Sequence, residues 1–296
     1  MKKMLMAGLA GMMCAWVTSV CAQDHDHAHH SSKAIETSEA QDPSLPPGED
    51  GARAALESSP RHGEWADVEV PGLEHPMRTW IVYPERSDKA PVVIVICEIY
   101  GLTDWIRSVA DQLAKEGFIA VAPDMVSGNG PNGGGTESAT GRDQVVGWIR
   151  TLSGEEVLSR LNAARTYAGG LPAANGKTAS IGFCWGGSQS FSYACTHREL
   201  DAAVVYYGSS PDSSMLSRIK RTPVLGLYGS DDARVNATID PAQKIMKAMG
   251  KTYEAEIYEG AGHGFLRAQG GREGANLKAA QKAWPRTIEF LRKHMQ

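Results

Sequence analysis

The amino-acid sequence predicts an α/β fold with a mostly parallel central sheet and helices on both faces. Three observations lead there: short β-branched runs recur along the chain, helix-length segments alternate with them, and glycine-rich turns mark several of the joins. A strand inside a parallel sheet is covered on both faces, so it reads as an unbroken apolar run. Residues 92–97 (VVIVIC) have that character.

Taken in order, residues 79–83 and 92–97 read as strands, 108–116 as a helix ending at Gly117, and 118–122 as the next strand. Residues 128–135 form a glycine-rich loop too irregular to cradle a phosphate. Residues 143–167 read as helical with a break at Ser153-Gly154. Strands at 178–183, 202–207, 224–228 and 253–258 follow, with helices at 186–195, 237–249 and 273–293 between and after them. Repeated strand–helix–strand units favour right-handed crossovers and hence one doubly covered sheet. No internal repeat is visible.

The chain has 296 residues, 42% of them hydrophobic, enough for one sizeable globular domain. A formal net charge of −4 without a basic stripe argues against nucleic acid as a partner. Beyond the N-terminus no apolar run approaches the roughly 18 residues of a membrane span. Lys2 and Lys3, an apolar stretch at 4–17 and Val20-Cys21-Ala22 have the layout of a secretory signal peptide over residues 1–22. A lipobox at Cys21 is the rival reading, disfavoured by Val20. The expectation is an exported, periplasmic protein acting as a monomer. Residues 23–60 are polar and poor in large apolar side chains and read as a flexible leader, with the globular domain at 61–296. The leader's tract from Asp24 to His30 (DHDHAHH) has two readings, a loose Zn²⁺ or Cu²⁺ chelator or a solvated tail. Removal of residues 1–22 leaves Cys97, Cys184 and Cys195, an odd number in an oxidising compartment, so at least one thiol stays unpaired.

Gly182-Phe183-Cys184-Trp185-Gly186-Gly187 is the sharpest local signal. It is a G-x-C-x-G nucleophile elbow, a strand turning abruptly into a helix with the central side chain exposed. The helix N-terminus at Cys184 is expected to favour thiolate over thiol. An acid and a histidine should follow, in that order, at the ends of later strands. The loop Gly229-Ser230-Asp231-Asp232-Ala233-Arg234-Val235 offers two acids, and Gly260-Ala261-Gly262-His263-Gly264-Phe265 a histidine set among glycines. His263 would take the thiol proton, and the acid would fix its tautomer.

These three segments resemble the dienelactone hydrolase family, over roughly residues 65 to 294, which implies an α/β-hydrolase fold. In the family pattern the acid directly precedes the Ala-Arg-Val-like stretch, pointing to Asp232 rather than Asp231. The resemblance further implies that Glu98, in Ile96-Cys97-Glu98-Ile99-Tyr100-Gly101, contacts Cys184 in the resting enzyme, and that the backbone N–H groups of Ile99 and Trp185 form the oxyanion hole. Arg267 and Tyr100 are expected against substrate. The family's second arginine has no counterpart after Ala122-Pro123-Asp124, and Arg142 is the available substitute, which puts dienelactone itself in doubt as substrate. The implied activity is hydrolysis of a small ester or lactone through a thioester, with no metal or organic cofactor required. Two rivals stand beside it: a non-catalytic scaffold binding a small molecule or partner, and a redox or metal role for the thiols and histidine tract. A second departure from the family pattern is Cys97 beside Glu98, since in an oxidising compartment a disulfide with Cys184 would silence the nucleophile; two titratable thiols in the oxidised protein would exclude it.

Overall fold

The computed structural model describes residues 42–295. A short 3₁₀ turn at Glu49–Gly51 leads into α1 (Ala52–Glu57), followed by β1 (Gly63–Val68), β2 (Met77–Val82), β3 (Ala90–Ile96), α2 (Asp104–Lys115) and β4 (Ile119–Pro123). Next come α3 (Arg142–Thr151), α4 (Gly154–Gly169), β5 (Ala174–Phe183), α5 (Trp185–Thr196), β6 (Ala202–Tyr206) and α6 (Ser213–Leu216). The chain continues through β7 (Val224–Asp231), α7 (Ala233–Asn236), α8 (Ile239–Ala248), β8 (Tyr253–Gly262) and α9 (Ala275–Met295).

The strands form one sheet in the order β1-β2-β4-β3-β5-β6-β7-β8. β1 pairs antiparallel with β2, β2 antiparallel with β4, and every later pairing is parallel. The expected architecture is therefore present, with an antiparallel pair at one edge. β1 escaped the sequence reading because its residues alternate in burial instead of forming an apolar run. In the central strands, Val92 to Ile96 and Ala202 to Tyr206 are fully buried, as sandwiching by helices requires.

Local chemistry explains the helix boundaries. The break inside the long helical stretch falls between α3 and α4, where Ser153 and Glu156 form a reciprocal capping box. The Glu156 N–H donates to Ser153 Oγ at 3.2 Å and the Ser153 N–H to Glu156 Oε2 at 2.8 Å, starting a new helix at a gain of about 1 kcal/mol. Thr103 caps α2 one way only, its side chain accepting from the Ile106 N–H.

Residues 42–60 correct the expectation of a leader that is flexible as far as Pro60. Leu45 and Ala52 are buried. Trp105 Nε1 donates to the Pro47 carbonyl at 3.0 Å, Gln269 Nε2 to that of Pro46 at 2.8 Å, and the Glu49 N–H to that of Arg267 at 2.9 Å. Few large side chains were needed because the strap is held through its backbone carbonyls and the Glu49 N–H by partners from distant parts of the chain. The signal-peptide segment and the histidine tract lie outside the described residues. Among the described residues, no helix is long and apolar enough to cross a membrane.

Candidate active site

Cys184 sits between the carboxyl end of β5 and the start of α5 with φ 55° and ψ −114°. Such a conformation costs on the order of 1–3 kcal/mol for a residue with a side chain, so its surroundings must enforce it. They do so through backbone contacts. A Cβ on Gly182 would lie 1.9 Å from the Gly186 carbonyl oxygen, and one on Gly186 would lie 2.3 Å from that of Cys97. Only glycine lets β5, α5 and the β3 end approach so closely. The Cys184 N–H donates to Tyr206 O at 3.0 Å, tying the turn to β6.

The expected thiolate bias is overturned. Burial raises the Cys184 thiol above its ordinary range and the Glu98 carboxylate raises it further, while the N–H groups of Trp185 and Ile99 and the charge of Arg234 oppose this. Desolvation by the packed elbow and a facing carboxylate outweigh the helix terminus, so the resting group is a thiol. The same two amides that act on the sulfur are the ones expected to form the oxyanion hole. No hydrogen bond among the described residues joins Cys184 to His263.

His263 follows β8, and its Nδ1 lies 2.5 Å from Asp232 Oδ2. Asp232 is 9% exposed. Its neighbour Asp231 instead pairs at the surface with Arg272. The Asp232 contact makes Nδ1 the protonated nitrogen of the neutral ring and leaves Nε2 free to exchange protons. The His263 ring stands 5.1 Å from the ring of Tyr207.

Glu98 follows β3 and is 3% exposed. Arg267 Nε lies 2.7 Å from Glu98 Oε2. That nitrogen has no hydrogen-bond partner, so the contact is an ion pair without donor alignment. Burial still wins: it raises the Glu98 carboxyl to about 7, against the lowering by Arg267. Tyr100 lies beneath two cations, the guanidinium carbons of Arg142 and Arg267 at 5.0 and 5.5 Å from its ring centroid. The arginine expected to substitute for the missing one thus shares the Tyr100 ring with Arg267. Cys97, Cys184 and Cys195 are all free thiols, and Cys97 and Cys195 are buried.

Three participants escaped the sequence reading. Tyr207, with φ 41°, is fully buried beside Glu98, Cys184 and Arg267, and its hydroxyl faces the Glu98 carboxylate, lowering that group's proton affinity without an aligned hydrogen bond. Asp124 accepts from the Thr136 N–H at 2.6 Å and Thr136 Oγ1 at 2.7 Å, while Thr136 Oγ1 accepts from the Leu102 N–H at 2.9 Å. This relay uses the glycine-rich loop to brace the segment carrying Glu98 and Ile99. Glu49, from the strap, contacts both Arg142 and Arg267. A strand-end aspartate and an acidic strap carry no local sequence pattern that distinguishes them from surface residues.

Comparison with known proteins places the chain. The model of the dienelactone hydrolase family matches residues 77–295. A Methylorubrum extorquens protein provisionally named carboxymethylenebutenolidase is 30% identical over 240 residues, spanning 77% of this chain and 80% of that one. The crystal structure of a provisionally named dienelactone hydrolase from Klebsiella pneumoniae superposes with a TM-score of 0.66 at 26% identity, covering 77% of this chain and 98% of that one. A dienelactone hydrolase structure from Anabaena variabilis shares the fold, with a TM-score of 0.61 at 20% identity over 80% of this chain and 99% of its own. The chain belongs to the dienelactone hydrolase family of α/β-hydrolases.

Proposed function

We propose that the protein hydrolyses small esters or lactones, with Cys184 as nucleophile, His263 as the acid–base group and Asp232 as its orienting partner. The observation that carries this reading is the surroundings of Cys184: a strained elbow, two inward-facing amides and a histidine oriented by a nearly buried carboxylate.

The resting thiol lies beside Glu98 and the Ile99 and Trp185 amides. A substrate carbonyl oxygen entering between those amides displaces the sulfur from them. The sulfur turns toward His263, whose Nε2 takes the thiol proton. The carboxylate of Glu98 repels the new thiolate away from itself, and Asp232 stabilises the imidazolium. Thiolate attack forms the C–S bond, and the carbonyl electrons move to an oxyanion held by both amides. Collapse expels the alkoxide, which takes the proton from His263. His263 then deprotonates a water that attacks the thioester, and the thiolate leaves and is reprotonated. Thiolate is a far better leaving group than an amine, so an amide substrate would return to starting material. Peptidase activity should be weak or absent.

The test is hydrolysis of p-nitrophenyl acetate and a simple enol lactone under reducing conditions, wild type beside Cys184→Ala. Turnover that disappears with Cys184 is the expected result. Absence of turnover on both substrates by the wild type would favour the binding scaffold instead. We further propose that residues 1–22 direct export and are removed, and that the mature protein is monomeric. Mass spectrometry of the N-terminus from a periplasmic fraction, with light scattering of the same sample, tests both.

A further inference from the structure

Two guanidinium groups over one aromatic ring, beside a nucleophile, make a fork suited to a carboxylate. Here that fork is already filled. Glu49 Oε1 meets Arg142 Nη2 and Glu49 Oε2 meets Arg267 Nη1, one oxygen for each arginine. The Glu49 N–H also donates to the Arg267 carbonyl at 2.9 Å, so the same residue holds Arg267 at both ends. The backbone is pinned on either side, by Trp105 at Pro47 and by burial of Ala52. Glu49 therefore sits on a docked strap and not on a side chain free to swing away. Arg267 also pairs with Glu98, so both of its charge-bearing faces are engaged.

We infer that Glu49 is a specificity-determining residue: an internal carboxylate that occupies the Arg142–Arg267 fork and commits the site to neutral acyl groups. A substrate carboxylate arriving at this corner meets a carboxylate already in place, with two negative side chains balancing two positive ones. The cost is like-charge repulsion together with the loss of two charge-assisted contacts. A neutral chain of the same length meets neither cost. The strap precedes the segment that matches the family model, at residues 77–295.

The inference rests on the ester-hydrolase reading, and the test separates the two. p-Nitrophenyl valerate and mono-p-nitrophenyl glutarate have the same chain length and differ by a terminal methyl against a carboxylate. The wild type should prefer the valerate by about 10-fold or more in kcat/KM. Glu49→Gln and Glu49→Ala should raise the ratio of kcat/KM for the glutarate ester to that for the valerate about 10-fold. Calorimetry with free glutarate on a Cys184→Ala background provides a readout independent of turnover. Binding should appear when Glu49 is replaced and be absent when it is present. Should Glu49→Ala fail to fold, Glu49→Gln retains the size and backbone contacts of the strap. Equal use of both esters by the wild type, parallel changes in both esters, or no gain in glutarate binding would overturn the assignment. Absence of ester turnover in the protein that retains Cys184, with glutarate binding still gained on replacing Glu49, would leave this inference standing and remove the hydrolase reading.

Discussion

The Cys184 elbow and the Glu49–Arg267 corner meet at Glu98, yet they are built in different ways. The elbow is made of backbone: residues within one short stretch, with glycines where β5, α5 and β3 touch, hold Cys184 at a positive φ. The corner is made of side-chain charge: Glu49, Glu98, Arg142 and Arg267 come from four separated parts of the chain. A backbone-made site tolerates almost no substitution but is indifferent to salt. A charge-made site can change its preference one residue at a time.

The sharpest break between them is a matched pair of substitutions. Gly182→Ala puts a methyl group against the Gly186 carbonyl and should destabilise the protein by roughly 3 kcal/mol or more, or prevent its folding. Arg142→Gln, on a half-exposed side chain, should cost less than about 1 kcal/mol. Urea unfolding compares the two, and a similar cost for both would contradict the division drawn here.

The next effect separates two adjacent acids. Asp232→Asn should lower kcat about 10²- to 10⁴-fold, through the wrong histidine tautomer and an unstabilised imidazolium. Asp231→Asn removes only a surface pair with Arg272 and should leave kcat within about 2-fold. Equal losses in steady-state assays would mean that the pairing with His263 is not the functional one.

Glu98 joins the two regions, and its removal should be visible as pH dependence. Its carboxylate raises the Cys184 thiol, so Glu98→Gln should shift the pH profile of Cys184 alkylation by iodoacetamide toward lower pH. The sign for stability follows from linkage. Folding raises the Glu98 carboxyl from its ordinary value near 4.5 to about 7, so the native state holds the proton more tightly. The stability from that tighter proton is fully present below the ordinary value and is lost as pH rises through about 7. The wild type should thus lose stability relative to Glu98→Gln across this window, by a few kcal/mol in order of magnitude. An alkylation profile that stays in place would remove Glu98 from the description of the resting thiol.

The smallest expected effect is at Tyr207. Its buried hydroxyl lies against the Glu98 carboxylate without an aligned hydrogen bond and opposes the raised proton affinity of that group, so Tyr207→Phe should change stability by less than about 1 kcal/mol. A markedly lower Tm would mean that the hydroxyl holds Glu98 in a full hydrogen bond.

How much of this was legible in the sequence follows the same division. The apolar run at 92–97, the glycine-flanked Cys184 and the glycine-set His263 are local patterns, each dictated by backbone geometry within a few residues. They announced the parallel sheet, the elbow and the order of the three segments. The antiparallel strand at 63–68 was missed because alternation without an apolar run is a weak signal. The state of the thiol was misjudged because a helix terminus is visible in sequence, whereas the burial and the facing carboxylate that outweigh it are not.

The sequence by itself determined the α/β architecture, the position of the cysteine turn and the identity of its histidine, because steric demands on backbone are local. Only the tertiary structure decided that Glu98 is buried against Arg267 and that a strap expected to be loose carries Glu49 onto two arginines. Those outcomes depend on desolvation and on charges brought together across more than two hundred residues, as between Glu49 and Arg267. No short stretch of sequence encodes how much water a folded chain will exclude around a charge.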